Sequence, residues 1–135
     1  MKNTLLGIIM AIVWAVAGQS SAAPPQRLLI LTQGPDGHPA ATHEYVAGAE
    51  ILQQTLAAVP DLQVDTLRVD KTDEPAISAA LAKADGIVLS IAEGAKWLAA
   101  EPRRGEAFAK HAEQKRGLFV LHWAMGTRTA EPIEP

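Results

Sequence analysis

The chain has 135 residues, a formal net charge of −3 and no cysteine. One domain fits that length; disulfide stapling and lipid attachment through cysteine are excluded, so the fold must be held by its core. Basic residues are scattered rather than striped, which argues against a nucleic-acid partner.

The first residues read as a targeting segment. Lys2 supplies a basic start, residues 5–17 are apolar, and Ser20, Ser21 and Ala22 are small, the order of a secretory signal peptide. The apolar stretch is shorter than the ~20 residues a spanning helix needs. The expectation is a cleaved signal over residues 1–22, a secreted or periplasmic protein, and no stable membrane anchor after cleavage. An uncleaved N-terminal anchor is the alternative. Loss of Lys2 takes the net charge to −4 and leaves about 113 residues. Residues 23–26, with Pro24-Pro25, read as a linker, and residues 27–135 as the domain.

From there the chain alternates strand-like and helix-like segments. Residues 27–32 ("RLLILT") form an apolar run, followed by the Gly- and Pro-rich loop "QGPDGHPAAT". In "HEYVAGAEILQQTLAAVP", Tyr45, Ala49, Leu52, Leu56 and Val59 recur at helical steps, with Thr42 as the expected N-cap and Pro60 as the stop. Residues 62–69 ("LQVDTLRV") alternate apolar and polar, as an edge or half-buried strand does. Pro75 suits the first turn of a second helix in which Ile77 and Leu81 share a face, broken at Asp85-Gly86.

The run "IVLSIA" reads as a third strand ending at Glu93-Gly94. Pro102 opens a further helix through Phe108 and Ala112, with His111, Lys115 and Arg116 near its end and Gly117 as its C′ residue. Arg103, Arg104, Lys115 and Arg116 read as solvated surface. Residues 118–121 form the fourth strand, which runs into His122, Trp123 and a Gly-containing turn.

Continuous apolar strands separated by helices predict an α/β fold with a parallel sheet covered on both faces. Ligands of such sheets gather beyond the carboxyl ends of the strands, where strand order reverses. That rule brings three loops together: residues 33–42, 93–97 and 122–127. The chain stops at "TAEPIEP", soon after the fourth strand. That strand is therefore expected to be a bare apolar edge, open to a second copy or belonging to an incomplete domain.

No GxGxxG follows the first strand, and the phosphate-binding GxxxxGK[ST], the GxSxG elbow and the HExxH zinc helix are all missing from the sequence. Dinucleotide binding, NTP hydrolysis and serine or cysteine acyl transfer lose ground accordingly.

Three stretches carry a family resemblance: "HEY" opening the first helix, "EGAKW" after the third strand and "LHWAMGT" after the fourth. Together with their flanks from Arg27 onward they resemble the ThuA-like (trehalose-utilisation) domains of the class I glutamine amidotransferase-like superfamily. The resemblance implies a flavodoxin-like three-layer sandwich. It implies a role connected with sugars rather than glutaminase chemistry, because a histidine stands in the Leu121-His122 segment where amidotransferases carry a cysteine. Members of the family are longer, so the four strands here correspond to an N-terminal part of the domain.

Position and chemistry together single out a few residues. His122, at a strand end, suits a general base or a metal ligand, or else a histidine that fixes its loop. Glu93 suits an acid/base partner beside it, or an ordinary turn residue. His43 stands at a helix start, where positive charge is unfavourable, so it is expected to be neutral and able to ligate. Glu44 has a structural reason to be there, since the helix dipole favours a carboxylate. His38 reads as a solvent-exposed loop residue. Trp97 and Trp123 could stack on a sugar ring or cap the core.

His43, Glu93 and His122 form the expected metal set, suited to zinc or a similar divalent ion with a position open for water or a hydroxylated ligand. The expected partner is a sugar or sugar derivative. The rivals are a non-catalytic sugar-binding or interaction domain, including a homo-oligomer formed through the fourth strand, and an inactive fragment of a longer protein.

Overall fold

The segment Leu28–Leu31 carries no polar side chain, and in the computed structural model, which describes residues 24–39 and 41–128, it lies in the strand that occupies the middle of the sheet. This strand, β1 (Gln26–Thr32), pairs in parallel with β2 (Leu62–Arg68) on one side and β3 (Gly86–Ser90) on the other. β4 (Gly117–Val120) adds outside β3, giving the order β2-β1-β3-β4. The fold is an α/β domain with a four-stranded parallel sheet flanked by helices, consistent with a flavodoxin-like sandwich.

The helices divide between the faces for a topological reason. The step from β1 to β2 runs one way along the sheet, and the steps to β3 and β4 run the other way. Parallel crossovers are right-handed, so reversing the direction moves the connecting helices to the opposite face. α1 (Tyr45–Leu56) accordingly packs on β1 and β2 from one side, where Ala49 seals against Ile30 and Val88. α2 (Glu74–Lys83), α3 (Gly94–Ala99) and α4 (Pro102–Glu113) cover the other side, where Ile77 and Leu81 meet Leu29, Leu31, Ile87 and Leu89. None of the described helices is long and apolar enough to cross a membrane.

Local details depart from the sequence reading in five places. α1 starts at Tyr45 with Glu44 at its cap position and no capping side chain, instead of starting from Thr42. The reason lies just upstream: Ala41 takes a left-handed conformation and donates its N–H to Oε1 of Glu44, so the chain is still turning there. The same helix ends at Leu56, which leaves Val59 exposed beyond it. After α4 the left-handed position falls on Lys115, because Gly117 is already paired with Gly86 as the first residue of β4.

Finally, Arg104 is not surface. Its guanidinium lies 2.7 Å from the carboxylate of Glu74, with both side chains mostly covered, and joins α4 to α2. α3 was read as loop; at six residues it is too short to show a helical period. The expected signal peptide over residues 1–22 lies outside the described residues.

β4 presents the expected edge. Leu118 and Phe119 are 51% and 61% exposed, one on each face, whereas the opposite edge strand carries Asp65 and Arg68. Burial therefore differs sharply along the sheet, and so should stability. Leu31→Ala is expected to lower the unfolding free energy by about 3 kcal/mol, as for a fully enclosed leucine. Leu118→Ala should cost less than about 1 kcal/mol, since half of that side chain already meets water. Urea unfolding of the two variants checks the ratio.

Candidate functional site

The order β2-β1-β3 places the reversal between the carboxyl ends of β1 and β3. The two loops that leave this point are tied together: Oε1 of Gln33 accepts the Ala92 N–H at 3.0 Å. The first loop is also pinned to the strand next door, where the Gly34 N–H donates to Asp70.

Beyond Pro35 the chain folds back over Asp36. Gly37 has φ +88, a conformation that suits only glycine, and this lets Oδ1 of Asp36 accept the His38 N–H at 3.2 Å in an Asx-type turn. Nδ1 of His38 lies 2.9 Å from the same oxygen. On Oδ2, Nδ1 of His43 sits at 2.9 Å and the Tyr45 hydroxyl donates at 3.0 Å. The Asp36 side chain is only 5% exposed.

Burial by itself would raise the pKa of this carboxyl. The hydrogen bonds from the His38 side chain and backbone, from His43 and from Tyr45 outweigh it and hold Asp36 well below the usual carboxylate range. The converse appears on its partner: burial, the bond to Asp36 and its negative charge push the Tyr45 phenol up to about 12. Because an ionised carboxylate only accepts, both facing Nδ1 atoms must carry protons.

The histidines stand close together. The rings of His38 and His43 are 4.6 Å apart edge to face, and those of His43 and His122 are 5.4 Å apart. His122 reaches this place from the turn after β4, a single 3₁₀ turn over His122–Met125 in which it takes φ +44 and is exposed. Asp36, His38 and His43 offer ligand atoms within 4.8 Å of one another, a set that could hold a metal ion. Among the described residues no such group includes Glu93 or His122.

Glu93 stands at the mouth of a neighbouring cavity. It takes a left-handed conformation ahead of α3, and its Oε1 accepts the Arg128 N–H at 3.0 Å. This cavity, about 350 Å³, is lined by Gln33, Asp36, Glu93, Lys96, Trp97 and Arg128. A second one of about 310 Å³ is lined by Asp36 together with His38 and His43. Asp36 is thus the wall between them.

Trp97 is committed to the fold on one face, with the Arg104 guanidinium 4.4 Å above its ring and Phe108 against its edge. Trp123 is half-buried, and its Nε1 is sealed from solvent without a hydrogen-bond partner among the described residues. The structure therefore brings His43 beside His122, gives His43 the partners Asp36 and His38, and sets Glu93 on the adjoining cavity.

The sequence reading does not single out Asp36, takes Tyr45 only as part of the helix face, and places His38 in an exposed loop, where it is found, without its bond to Asp36. One signal was available: an Asp-Gly pair followed closely by two histidines and a tyrosine is a loop able to close on its own acid. No family model, curated protein or solved structure matches this chain.

Two outcomes follow from this geometry. Tyr45 is the sole tyrosine, so phenolate absorbance reports it alone. It should titrate near 12, against 10.0 in an unfolded chain. With the folded value raised, its contribution to stability is complete below about pH 10 and is lost as pH climbs through about 12. In Asp36→Asn the titration should fall back toward the ordinary phenol value.

Gly94 provides the second test. A Cβ there would meet the backbone oxygen of Ala124 at a distance no packed atoms tolerate, and that oxygen belongs to the turn carrying His122. Gly94→Ala should keep its far-UV circular dichroism but shift the His122 ring resonances in NMR spectra.

Proposed function

We propose that this chain is a ThuA-like domain, exported from the cytoplasm, whose crevice at the ends of β1, β3 and β4 takes a sugar or sugar derivative together with a divalent ion such as zinc. The observation that carries this reading is the pairing of His38 and His43 on Asp36, with His122 beside His43, at the point where parallel α/β sheets build their sites. The adjoining cavity of about 350 Å³ suits a single sugar ring.

A bound divalent ion would polarise a ligand hydroxyl or a water molecule. The other roles belong to the chain. His38 and His43 hold the ion, with His43 fixed by Asp36. His122, beside His43 and open to solvent, would take or return a proton at a ligand hydroxyl. Glu93 and Lys96, with Gln33 behind them, offer hydrogen bonds to the remaining hydroxyls, and the edge of Trp97 adds apolar contact.

Titration calorimetry with a panel of neutral mono- and disaccharides tests the reading. The zinc-loaded protein should bind at least one of them. Chelation or His43→Ala should weaken that binding at least tenfold, about 1.4 kcal/mol. If the zinc-loaded protein binds none of the panel, the carbohydrate reading falls. Export has its own check: the mature protein in the cell envelope should have the mass of residues 23–135.

Among the described residues β4 is an uncovered edge of the sheet, which favours a second reading, an interaction domain that pairs with another copy through β4. That strand has no charge, proline or bulge to deter pairing, and it exposes Leu118 and Phe119. Sedimentation equilibrium should then show a dimer that Phe119→Lys converts to monomer.

A further inference from the structure

The three groups that could hold an ion are not equivalent. A carboxylate has about four acceptor positions, and Asp36 already receives four donors: the His38 N–H, Nδ1 of His38, Nδ1 of His43 and the Tyr45 hydroxyl. An ion entering between the carboxylate and the rings would have to displace most of them.

The distances point the same way. Two ligands held at ~2.0 Å on a tetrahedral ion lie ~3.3 Å apart. The two imidazole–carboxylate contacts are both 2.9 Å, the length of a charge-assisted hydrogen bond, and each uses a different oxygen. The far side of each ring is free. Nε2 of His38 and of His43 makes no hydrogen bond to the described residues. His38 is exposed, and Nε2 of His43 is not sealed off, since among the described residues the ring nitrogens that are both buried and unpartnered are His111 Nδ1 and Trp123 Nε1. The 4.6 Å ring separation is also near the ~5 Å that two imidazoles adopt on one tetrahedral ion.

We infer that a divalent ion binds through the Nε2 atoms of His38 and His43, and that Asp36, itself braced by Tyr45, stays outside the coordination shell as a carboxylate shared by both rings. This rests on the reading of the crevice as an ion site and adds how that site is built. One buried acid sets two ring orientations and both tautomers at once. It leaves the remaining coordination positions open toward His122 and solvent. Asp36 is then a positioning residue, and its loss weakens the site without altering the ligand set.

Cobalt(II) titration of the full chain, followed by visible absorption, separates the possibilities. The wild type should bind one equivalent. Asp36→Asn should keep the same absorption bands with affinity lowered 10- to 100-fold, and Tyr45→Phe should give a smaller loss with the same bands. His38→Ala and His43→Ala should each change the bands or abolish binding. Altered bands in Asp36→Asn would make the acid a ligand, overturning this inference while leaving the ion site intact. No cobalt uptake by the wild type would overturn the ion site itself, and the inference with it.

A second measurement needs no variant at Asp36. In the cadmium-loaded wild type, nitrogen–cadmium couplings in NMR spectra should appear at Nε2 of both histidines. Couplings at Nδ1 would refute the assignment.

Discussion

The site depends on the carboxyl half of β1 being enclosed on every side. The strand is paired along both edges, and Ile30, Leu31 and Thr32 are shut away from solvent at its carboxyl end. The chain can leave this end in only one direction, over the top of the sheet, and it does so at the point where the connections to neighbouring strands diverge. Gln33 then locks the departing loop to the one after β3. The crevice follows from that confinement rather than from any feature of the loop alone.

Within the crevice, one buried negative charge organises its surroundings. A carboxylate whose side chain is so largely covered must be compensated, and here imidazole and phenol donors do it in place of a guanidinium. His38, His43 and Tyr45 each turn a hydrogen-bearing atom toward Asp36, so their orientations are no longer independent. Two arginines flanking the crevice pair with other acids, Arg68 with Asp70 and Arg128 with Glu93. Compensation by imidazole rather than guanidinium leaves each ring a second nitrogen that makes no hydrogen bond to the described residues.

Much of the sheet was legible in the chain, because burial on both faces makes continuous apolar strands and Pro75 and Pro102 mark helix starts that survive in the fold. The weaker readings share one cause. Thr42, Gly117 and Arg104 have residue types suited to a cap, a C′ position and a surface, and each was displaced by a particular contact, local for Thr42 and from another element for Gly117 and Arg104. Glu44 captures the N–H of Ala41, Gly86 pairs with Gly117, and Glu74 binds Arg104 across two helices. The candidate site was legible to a similar depth. That the loops after β1, β3 and β4 would meet was a consequence of element order. That His43 would face Asp36 depended on how a ten-residue loop closes.

The sequence by itself determined the alternation of elements, the buried faces of the strands and the end of the sheet where chemistry-bearing side chains collect. Those properties rest on hydrophobic periodicity and proline and glycine punctuation, which act over a few residues and need no partner. Only the tertiary structure decided that Asp36 is buried, that His38 and His43 share it, and that Glu93 belongs to the neighbouring cavity. The physical reason is that these are properties of relative position. Asp36 gains its partners, its burial and its low proton affinity only when the loop after β1 closes on itself and brings His38, His43 and Tyr45 onto one carboxylate.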